Sequence, residues 1–325
     1  MRQQSPLPTG PARRRRRRSG RRGEALAFYG FVSPWLIGTA VLTVFPVGYA
    51  FYLSFTAWDG IAPFKPWVGL DNYREVLTSA DTLTSLGRTL LLVAIIVPTT
   101  IVGSLLLALL LNEKVRGRTV FRTLIYIPAI VPPVAAALIW KVAFDQNSGG
   151  VNRFLHIFGV NALMWLTGSR AFIVLIVVLL WGIGAGLIIN LAALQTVPAE
   201  QLEACRLDGG GPFTAFRHVT LPVISPVLLF QTVLVTITTL QTFVPALLLS
   251  PISGGVANVY TNIPNANRVY MVDVYSQFFS YSRYGYGSAM LTVFFLVIVA
   301  LTVLIFKVAG RSVFYAVDPN AAKEG

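Results

Sequence analysis

EACRLDGGGPFTAFRHVTLPVISP, residues 203–226, separates two long apolar runs of the chain. It contains two acids, two arginines, a histidine and three consecutive glycines. The flanking runs, 172–194 and 223–249, each reach the length of about 20 apolar residues that a helix needs to cross a bilayer. This stretch therefore predicts a polar loop that joins two membrane-spanning helices.

The composition agrees with that interpretation. Of the 325 residues, 55% are hydrophobic and only 12% are charged, whereas a soluble protein carries about 25% charged residues. The apolar residues fall into blocks of bilayer length, which predicts an all-α membrane protein with six transmembrane helices. The six predicted spans are residues 28–55, 89–111, 124–140, 172–194, 223–249 and 288–306.

Basic residues are distributed unevenly among the loops. Of the 26 lysines and arginines, 18 lie in the N-terminal tail, in 112–123, in 195–222 and from residue 307 onward, and 8 lie in the alternate loops. Cytoplasmic loops carry the excess of Lys and Arg. Both termini and the loop 203–226 are therefore predicted to face the cytoplasm (N-in, C-in).

The first 27 residues include an unbroken arginine run, 13–18. Such a run can bind nucleic acid, but beside a first span we interpret 1–27 as a basic, disordered cytoplasmic tail, and we expect no nucleic-acid partner. A cleaved signal peptide is disfavoured because the following apolar run is longer than an h-region of about 7–15 residues. The sequence predicts a transmembrane domain over 28–318 and a C-terminal tail over 319–325.

Several kinds of chemistry are disfavoured. No predicted span has a charged residue or a histidine near its centre, although proton-coupled carriers usually need one and intramembrane enzymes need acid–base groups or a metal. The single cysteine, Cys205, and the two separated histidines do not form a metal site. The glycines are not part of a P-loop motif. We expect no enzymatic activity, cofactor or metal, so any uphill transport must draw energy from a partner.

The loop itself predicts two short helices. Pro198 suits a first helical turn, and Asp208 with Gly209 ends a helix over 198–207, because glycine readily adopts the positive φ needed there. A second helix is predicted from Pro212 to His218 before the next span.

The loop resembles the EAA loop shared by the membrane subunits of binding-protein-dependent ABC importers. That pattern has Glu-Ala-Ala, then Asp-Gly, then a run that reaches Ile-x-Leu-Pro. The matching residues are Glu203, Ala204, Asp208, Gly209, Leu221 and Pro222. Cys205, Gly210 and Val219 depart from it. The likeness covers about residues 28–318, with the importer core at about 85–310. The stretches WVGLDNYREVL (67–77), LNEKVRGRTVFRTLIYIPAIVPP (111–133) and LAALQTVPAEQLEA (191–204) are similar to those of the sugar-transporting branch.

This resemblance implies a type I ABC importer permease in a bacterial plasma membrane, with a carbohydrate or related polyol as cargo. The implied partners are a cytoplasmic ABC ATPase dimer, a second homologous permease subunit and an extracytoplasmic solute-binding protein. Glu203 would pair with a basic residue of the ATPase, and Gly209 would hold the turn. Two alternatives stay open: a stand-alone channel or secondary carrier, and a non-transporting scaffold in which the loop only connects two spans.

The fifth span is unusually polar and suggests a substrate path. At about 100° per residue, Gln231, Thr238 and Thr242 share one helix face, and Gln241 lies beside it. Their amides and hydroxyls can bind sugar hydroxyls, but they also commonly join helices within membrane bundles. Trp181 either stacks on a sugar ring or packs among neighbouring glycines.

The loop over 250–287 is rich in tyrosine: Tyr260, Tyr270, Tyr275, Tyr281, Tyr284 and Tyr286. Two interpretations are open, an aromatic belt at the membrane interface and a surface for the solute-binding protein.

Overall fold

The structure is a computed structural model that describes residues 18–113, 116–249 and 263–309. The chain divides into two units, Met1–Tyr52 and Leu53–Gly325. In the described residues the regular structure is helical, apart from one isolated bridge between Thr56 and Trp67. The α-helices are α1 (Arg18–Thr39), α2 (Phe45–Leu53), α3 (Asp71–Thr78), α4 (Ala80–Asn112), α5 (Arg118–Ile130), α6 (Pro133–Ala143), α7 (Gly150–Ile157), α8 (Arg170–Trp181), α9 (Gly184–Leu194), α10 (Ala199–Leu207), α11 (Pro212–Ala215), α12 (Leu221–Leu240), α13 (Val244–Leu248), α14 (Tyr270–Phe279) and α15 (Tyr284–Ala309).

Five helical stretches of the described chain are long and apolar enough to cross a membrane, and a bent pair supplies a sixth if it forms one crossing. The five are Ala27–Leu53, Ala80–Asn112, Arg170–Leu194, Pro212–Leu248 and Tyr284–Val308. The all-α membrane fold predicted from the sequence is confirmed. Each of these stretches overlaps one predicted span.

The third predicted span, 124–140, differs from a straight helix. It is the bent pair, in which α5 and α6 meet at an angle of 99°. Val131 and Pro132 are both extended at the break, with ψ values of 127° and 139°. Both residues precede a proline, and the proline ring excludes the helical conformation from the residue before it. Two consecutive prolines therefore bend this span.

The first span also differs from the expected boundary. Helix α1 begins at Arg18 and continues through a π turn at Ala40–Val44 into α2. Residues 18–27, predicted as part of a disordered tail, therefore belong to the first helix. The rest of the predicted tail, 1–17, lies outside the described residues, as does the predicted C-terminal tail, 319–325.

The centre of the second unit is the packing of α4, α9 and α12. Leu187 and Leu191 of α9 are buried with Ala108 of α4 and Ile224 of α12. Glycine allows the close approach of α9 to its neighbours, since small residues are the usual contacts between membrane helices. A Cβ on Gly186 would lie 2.8 Å from the Cβ of Ser104 in α4.

The stretch WVGLDNYREVL (67–77) forms a clasp on the side predicted to face outward. Asn72 donates its side-chain amide to the carbonyls of Ser54 and Thr56, at 2.9 Å each. Gly285, in the first turn of α15, donates its N–H to the Trp58 carbonyl at 3.0 Å. The clasp thereby joins residues 54–58, α3 and the start of the last span.

Gly184 gives a direct test of this packing. A Cβ at this position would lie 2.0 Å from the Ile125 carbonyl oxygen of α5, so Gly184→Ala must push α5 away from α9. We expect the free energy of unfolding to fall by about 1–3 kcal/mol, measured as a lower thermal midpoint of the detergent-solubilised protein.

The matched control is Gly87→Ala. Gly87 also lies in a spanning helix, and a Cβ there would have nothing within 4 Å. Alanine should leave stability unchanged or raise it by about 0.5–1 kcal/mol, because glycine is the poorer helix former. Equal midpoints for Gly184→Ala and the wild type would contradict the close contact of α5 with α9.

Candidate functional site

The loop 195–220 contains a short helix that ends in a glycine turn. Helix α10 starts at Ala199, after Pro198, and ends at Leu207, close to the predicted bounds of 198–207. Gly209 has a φ of +82°, and the N–H groups of Asp208, Gly209 and Gly210 bond to the carbonyls of Ala204, Arg206 and Cys205 at 2.9–3.0 Å. These bonds satisfy the last carbonyls of the helix. The turn is therefore defined by backbone geometry.

Cys205 and Gly210, two of the departures from the EAA pattern, lie against each other. A Cβ on residue 210 would fall 2.6 Å from the Cys205 sulfur and 2.7 Å from the Cys205 carbonyl oxygen. Gly210 is therefore needed for close approach, whereas Gly209 is needed for its positive φ and has nothing within 4 Å of its Cβ position.

The second half of the loop corrects a prediction. Instead of a separate helix that ends at His218, α11 continues through a π turn at Phe216–Thr220 directly into α12. The N–H of Leu221 bonds to the carbonyl of Phe216, five residues earlier. This wider turn precedes Pro222, which has no N–H to donate, and so the helix continues without a break.

The predicted coupling residues separate into two groups. Glu203, Ala204, Asp208 and Gly209 are exposed on the loop, whereas Leu221 and Pro222 are half-buried in the first turn of α12. The two groups thus differ in their accessibility to a partner.

Two exposed apolar residues on the same loop were missed by the sequence analysis. Leu207 is 88% exposed and Phe213 is 72% exposed, on either side of the glycine turn. A large apolar residue beside a charged, glycine-containing turn was the signal that could have identified them, because an exposed apolar patch commonly marks an interaction site.

The five predicted path residues line two adjoining cavities between the helices. Gln231, Thr238 and Thr242 line a cavity of about 270 Å³. Trp181 and Gln241 line a second cavity of about 530 Å³, together with Thr238 and Thr242. The residues common to both cavities are Leu179, Gly182, Ala185, Thr238 and Thr242. No lining residue of either cavity is charged.

Several of these polar side chains already bond within the protein. Gln231 is 3% exposed and donates its amide to Asn190 at 2.8 Å. The Thr238 hydroxyl donates to the Leu234 carbonyl of its own helix at 2.9 Å. The Trp181 ring meets Trp140 edge to face, with centroids 5.7 Å apart. The same residues thus pack against neighbouring helices and line the cavities.

A third cavity, of about 390 Å³, lies at the clasp and is lined by polar residues of α3, α4, α14 and α15. Glu75 pairs with Arg283 there at 2.5 Å, and this hydrogen bond raises the pKa of the arginine. Burial raises the pKa of the Asp273 carboxyl, although Ser85 donates a hydrogen bond to it at 3.2 Å. The cavity walls are therefore held by contacts within the chain.

The tyrosines of the predicted outer loop have different environments. Tyr270 and Tyr286 are almost fully buried, and their hydroxyls bond to the Met290 carbonyl and the Thr82 hydroxyl at 2.9 Å. Core packing thus explains these two, which neither interpretation anticipated. Tyr281 is exposed, and Tyr260 lies outside the described residues.

The comparisons with known proteins agree with this architecture. The family model described as "Binding-protein-dependent transport system inner membrane component" matches residues 99–319. The chain therefore belongs to this family. It is a permease of an ABC importer in the cell membrane, and not an enzyme.

Relatives match along most of their length. The probable ABC transporter permease protein YesP of Bacillus subtilis is 33% identical over 90% of this chain and 94% of its own. The trehalose/maltose transport system permease protein MalF of Thermococcus litoralis is 31% identical over 89% of this chain and 95% of its own. The multiple sugar-binding transport system permease protein MsmF of Streptococcus mutans is 30% identical over 85% and 92%.

A solved structure has the same fold. It is a bacterial alginate ABC transporter in complex with an alginate pentasaccharide-bound periplasmic protein, and one of its chains matches with a TM-score of 0.75 and 20% identity. The match covers 91% of this chain and 98% of that one. The likeness establishes a type I importer permease fold.

Gly209 gives a test of the turn. A residue with a Cβ is disfavoured at positive φ by roughly 1–2 kcal/mol, so Gly209→Ser should weaken the bonds that close α10. We expect the amides of residues 208–210 to exchange with deuterium about ten-fold faster.

The control is Gly211→Ser. Gly211 has a φ of −73° and open space around its Cβ position, and it caps α11, where serine is favoured. Exchange at 208–210 should stay at the wild-type rate. Equal exchange in both variants would show that the positive φ does not define the turn.

Proposed function

We propose that this permease forms the path for a carbohydrate or a related polyol and is driven by a cytoplasmic ABC ATPase through the loop at 195–220. One observation carries the proposal. The two ends of this loop continue into helices that line the adjoining cavities, α9 at its N-terminal end and α12 at its C-terminal end. A movement imposed on the loop would therefore reach the cavity walls.

The second of these connections is a continuous helix. It runs from Pro212 through the π turn to Leu240, and so joins Phe213 on the loop to Thr238 at both cavities. At 1.5 Å per residue the two positions are roughly 37 Å apart along the axis. A continuous helix transmits displacement over that distance better than a flexible linker, because its backbone bonds resist bending.

The loop surface suits a protein partner. Leu207 and Phe213 would enter a groove of the ATPase as apolar anchors, while Glu203 would pair with a basic residue at its edge. Buried apolar anchors surrounded by polar contacts are the usual arrangement at protein interfaces. Asp208 and Gly209 would hold the anchors at a fixed spacing.

The proposed cargo class is supported by the cavity lining. Gln231, Gln241, Thr238 and Thr242 offer neutral polar groups, and Trp181 offers an aromatic face on which a sugar ring could stack. Relatives whose names specify trehalose/maltose and multiple-sugar transport support the same class.

The proposed assembly contains a second, homologous permease subunit, two ATPase copies and a solute-binding protein on the outer side. The family description, binding-protein-dependent transport, supports the last of these. A stand-alone carrier or channel would not need exposed apolar anchors on a cytoplasmic loop, and a scaffold would not need a cavity lined by amide and hydroxyl side chains.

The assembly is tested by purification of the tagged protein from its native membrane in mild detergent, with mass spectrometry of the stoichiometric partners. We expect a P-loop ATPase, a second six-span subunit and a binding protein that carries a carbohydrate. Recovery of the chain alone, under conditions that preserve a known importer, would overturn the proposal in favour of a stand-alone carrier.

Glu203→Ala tests the coupling role. Loss of one partner of a buried interfacial ion pair costs roughly 2–5 kcal/mol. The variant should insert into the membrane normally but lose most of the co-purified ATPase and of the ATP-dependent uptake into reconstituted vesicles.

The matched control is Glu200→Ala, one turn earlier on the exposed surface of α10. It removes the same charge and should retain both the ATPase and the uptake. If Glu203→Ala transports at the wild-type rate, or if the two variants lose function equally, Glu203 has no specific coupling role.

A further inference from the structure

A chain of three buried side chains crosses the centre of the second unit. Gln231 of α12 donates its amide nitrogen to the Asn190 oxygen of α9 at 2.8 Å. Asn190 in turn donates its own amide nitrogen to the Ser104 hydroxyl of α4 at 3.0 Å. Ser104 and Asn190 are fully buried and Gln231 is 3% exposed. The chain thus links the three central helices at membrane depth.

The direction of these hydrogen bonds is set at the serine. A hydroxyl has one proton, and Ser104 donates it to the Ile101 carbonyl of its own helix at 3.2 Å. The Ser104 oxygen is left as an acceptor, so Asn190 must turn its amide nitrogen toward it. The Asn190 oxygen then receives the Gln231 amide nitrogen.

This order determines which atom Gln231 offers to the cavity. Its nitrogen is directed to Asn190, so its Oε1 atom is left for the cavity of about 270 Å³ that the residue lines. Gly186 lies beside this oxygen, at a distance where a Cβ would make an ordinary van der Waals contact with it at 3.5 Å. The cavity thereby receives a hydrogen-bond acceptor of fixed orientation.

Thr238 supports the same chemistry independently. It lines both cavities, and its hydroxyl proton is donated to the carbonyls of Leu234 and Val235 at 2.9 and 3.1 Å. Because that proton is already used, the hydroxyl can act toward a ligand in the cavities only as an acceptor. Two fixed acceptors in an uncharged cavity suit a neutral ligand that carries hydroxyl donors.

We propose that Asn190 and Ser104 are positioning residues that hold Gln231 Oε1 as the acceptor for a hydroxyl of the cargo during its passage. The inference rests on the proposed carbohydrate path and specifies how one residue of that path recognises a hydroxyl of the cargo. A pre-oriented acceptor discriminates against an analogue that lacks the hydroxyl, since the buried acceptor is then left without a partner.

The test measures uptake by the reconstituted complex with its binding protein. The probes are the labelled carbohydrate that the co-purified binding protein carries and the series of its monodeoxy analogues. The same binding protein is used in every assay, so its own preference cancels when variants are compared. For the wild type, we expect one analogue, the one that lacks the hydroxyl bound by Gln231, to have a KM that is raised by an additional factor of about three to ten.

Gln231→Met has a similar volume but offers no amide oxygen. It should raise the KM of the parent carbohydrate by that factor, with little change in maximal rate, and should abolish the additional discrimination against the one analogue. Asn190→Leu should have the same effect although Gln231 is retained, because nothing then orients its amide.

Asn190→Asp is the conservative variant. A carboxyl buried at membrane depth stays protonated at neutral pH, so its O–H can replace the amide donor to Ser104 while its other oxygen accepts from Gln231. In this variant, the additional discrimination against the one deoxy analogue should return. The control is Thr236→Val, which removes a buried hydroxyl of the same helix that bonds only to the Thr232 carbonyl and lines neither central cavity; it should keep the wild-type ratio.

Three results would overturn the inference in distinguishable ways. If Gln231→Met still transports and keeps the wild-type preference among all the analogues, Gln231 does not read a hydroxyl, and the proposed path remains. If Asn190→Leu transports more slowly but keeps the wild-type ratios of KM between the analogues and the parent carbohydrate, the hydrogen bonds among Ser104, Asn190 and Gln231 have a structural role only. If the binding protein carries no carbohydrate and none is transported, the proposed function itself fails, and this inference with it.

Discussion

The close packing of α4, α9 and α12 is the constraint on which the rest of this protein depends. Within a bilayer the lipid tails are as apolar as leucine, so helices associate through tight contacts and hydrogen bonds between them. Gly186 provides the contact with α4, and the chain Ser104–Asn190–Gln231 provides the hydrogen bonds. Close contact and hydrogen bonding therefore both contribute to the association of these three helices.

This packing connects the loop at 195–220 to the helices that line the cavities. Its N-terminal end follows α9 within a few residues, and its C-terminal end is the start of the continuous helix that includes α12. Both helices belong to the central packed group and both line the cavities. In the proposed function, a partner bound at Leu207 and Phe213 would therefore act on the same helices that line the proposed path.

Much of the fold was predictable from residue types alone. Apolar length identified the spans, because backbone groups in a bilayer must bond within their own helix. Gly209 and Asp208 predicted the end of α10, since a positive φ is readily adopted only by glycine. The bend at Val131–Pro132 was overlooked even though its two prolines are local signals, and the continuity of α11 with α12 was hidden because a π turn has no reliable sequence pattern.

Some features of the candidate site were likewise predictable from the sequence, and others were not. The sequence by itself determined the membrane class, the polar residues of the fifth span and the glycine turn, because hydropathy, hydroxyl or amide chemistry and backbone freedom are properties of individual residues. Only the tertiary structure decided that Gln231 meets Asn190 and Ser104, that Thr238 is shared by two cavities, and that Tyr270 and Tyr286 are buried. Those relations join residues far apart in the chain, and they depend on how neighbouring helices pack and rotate.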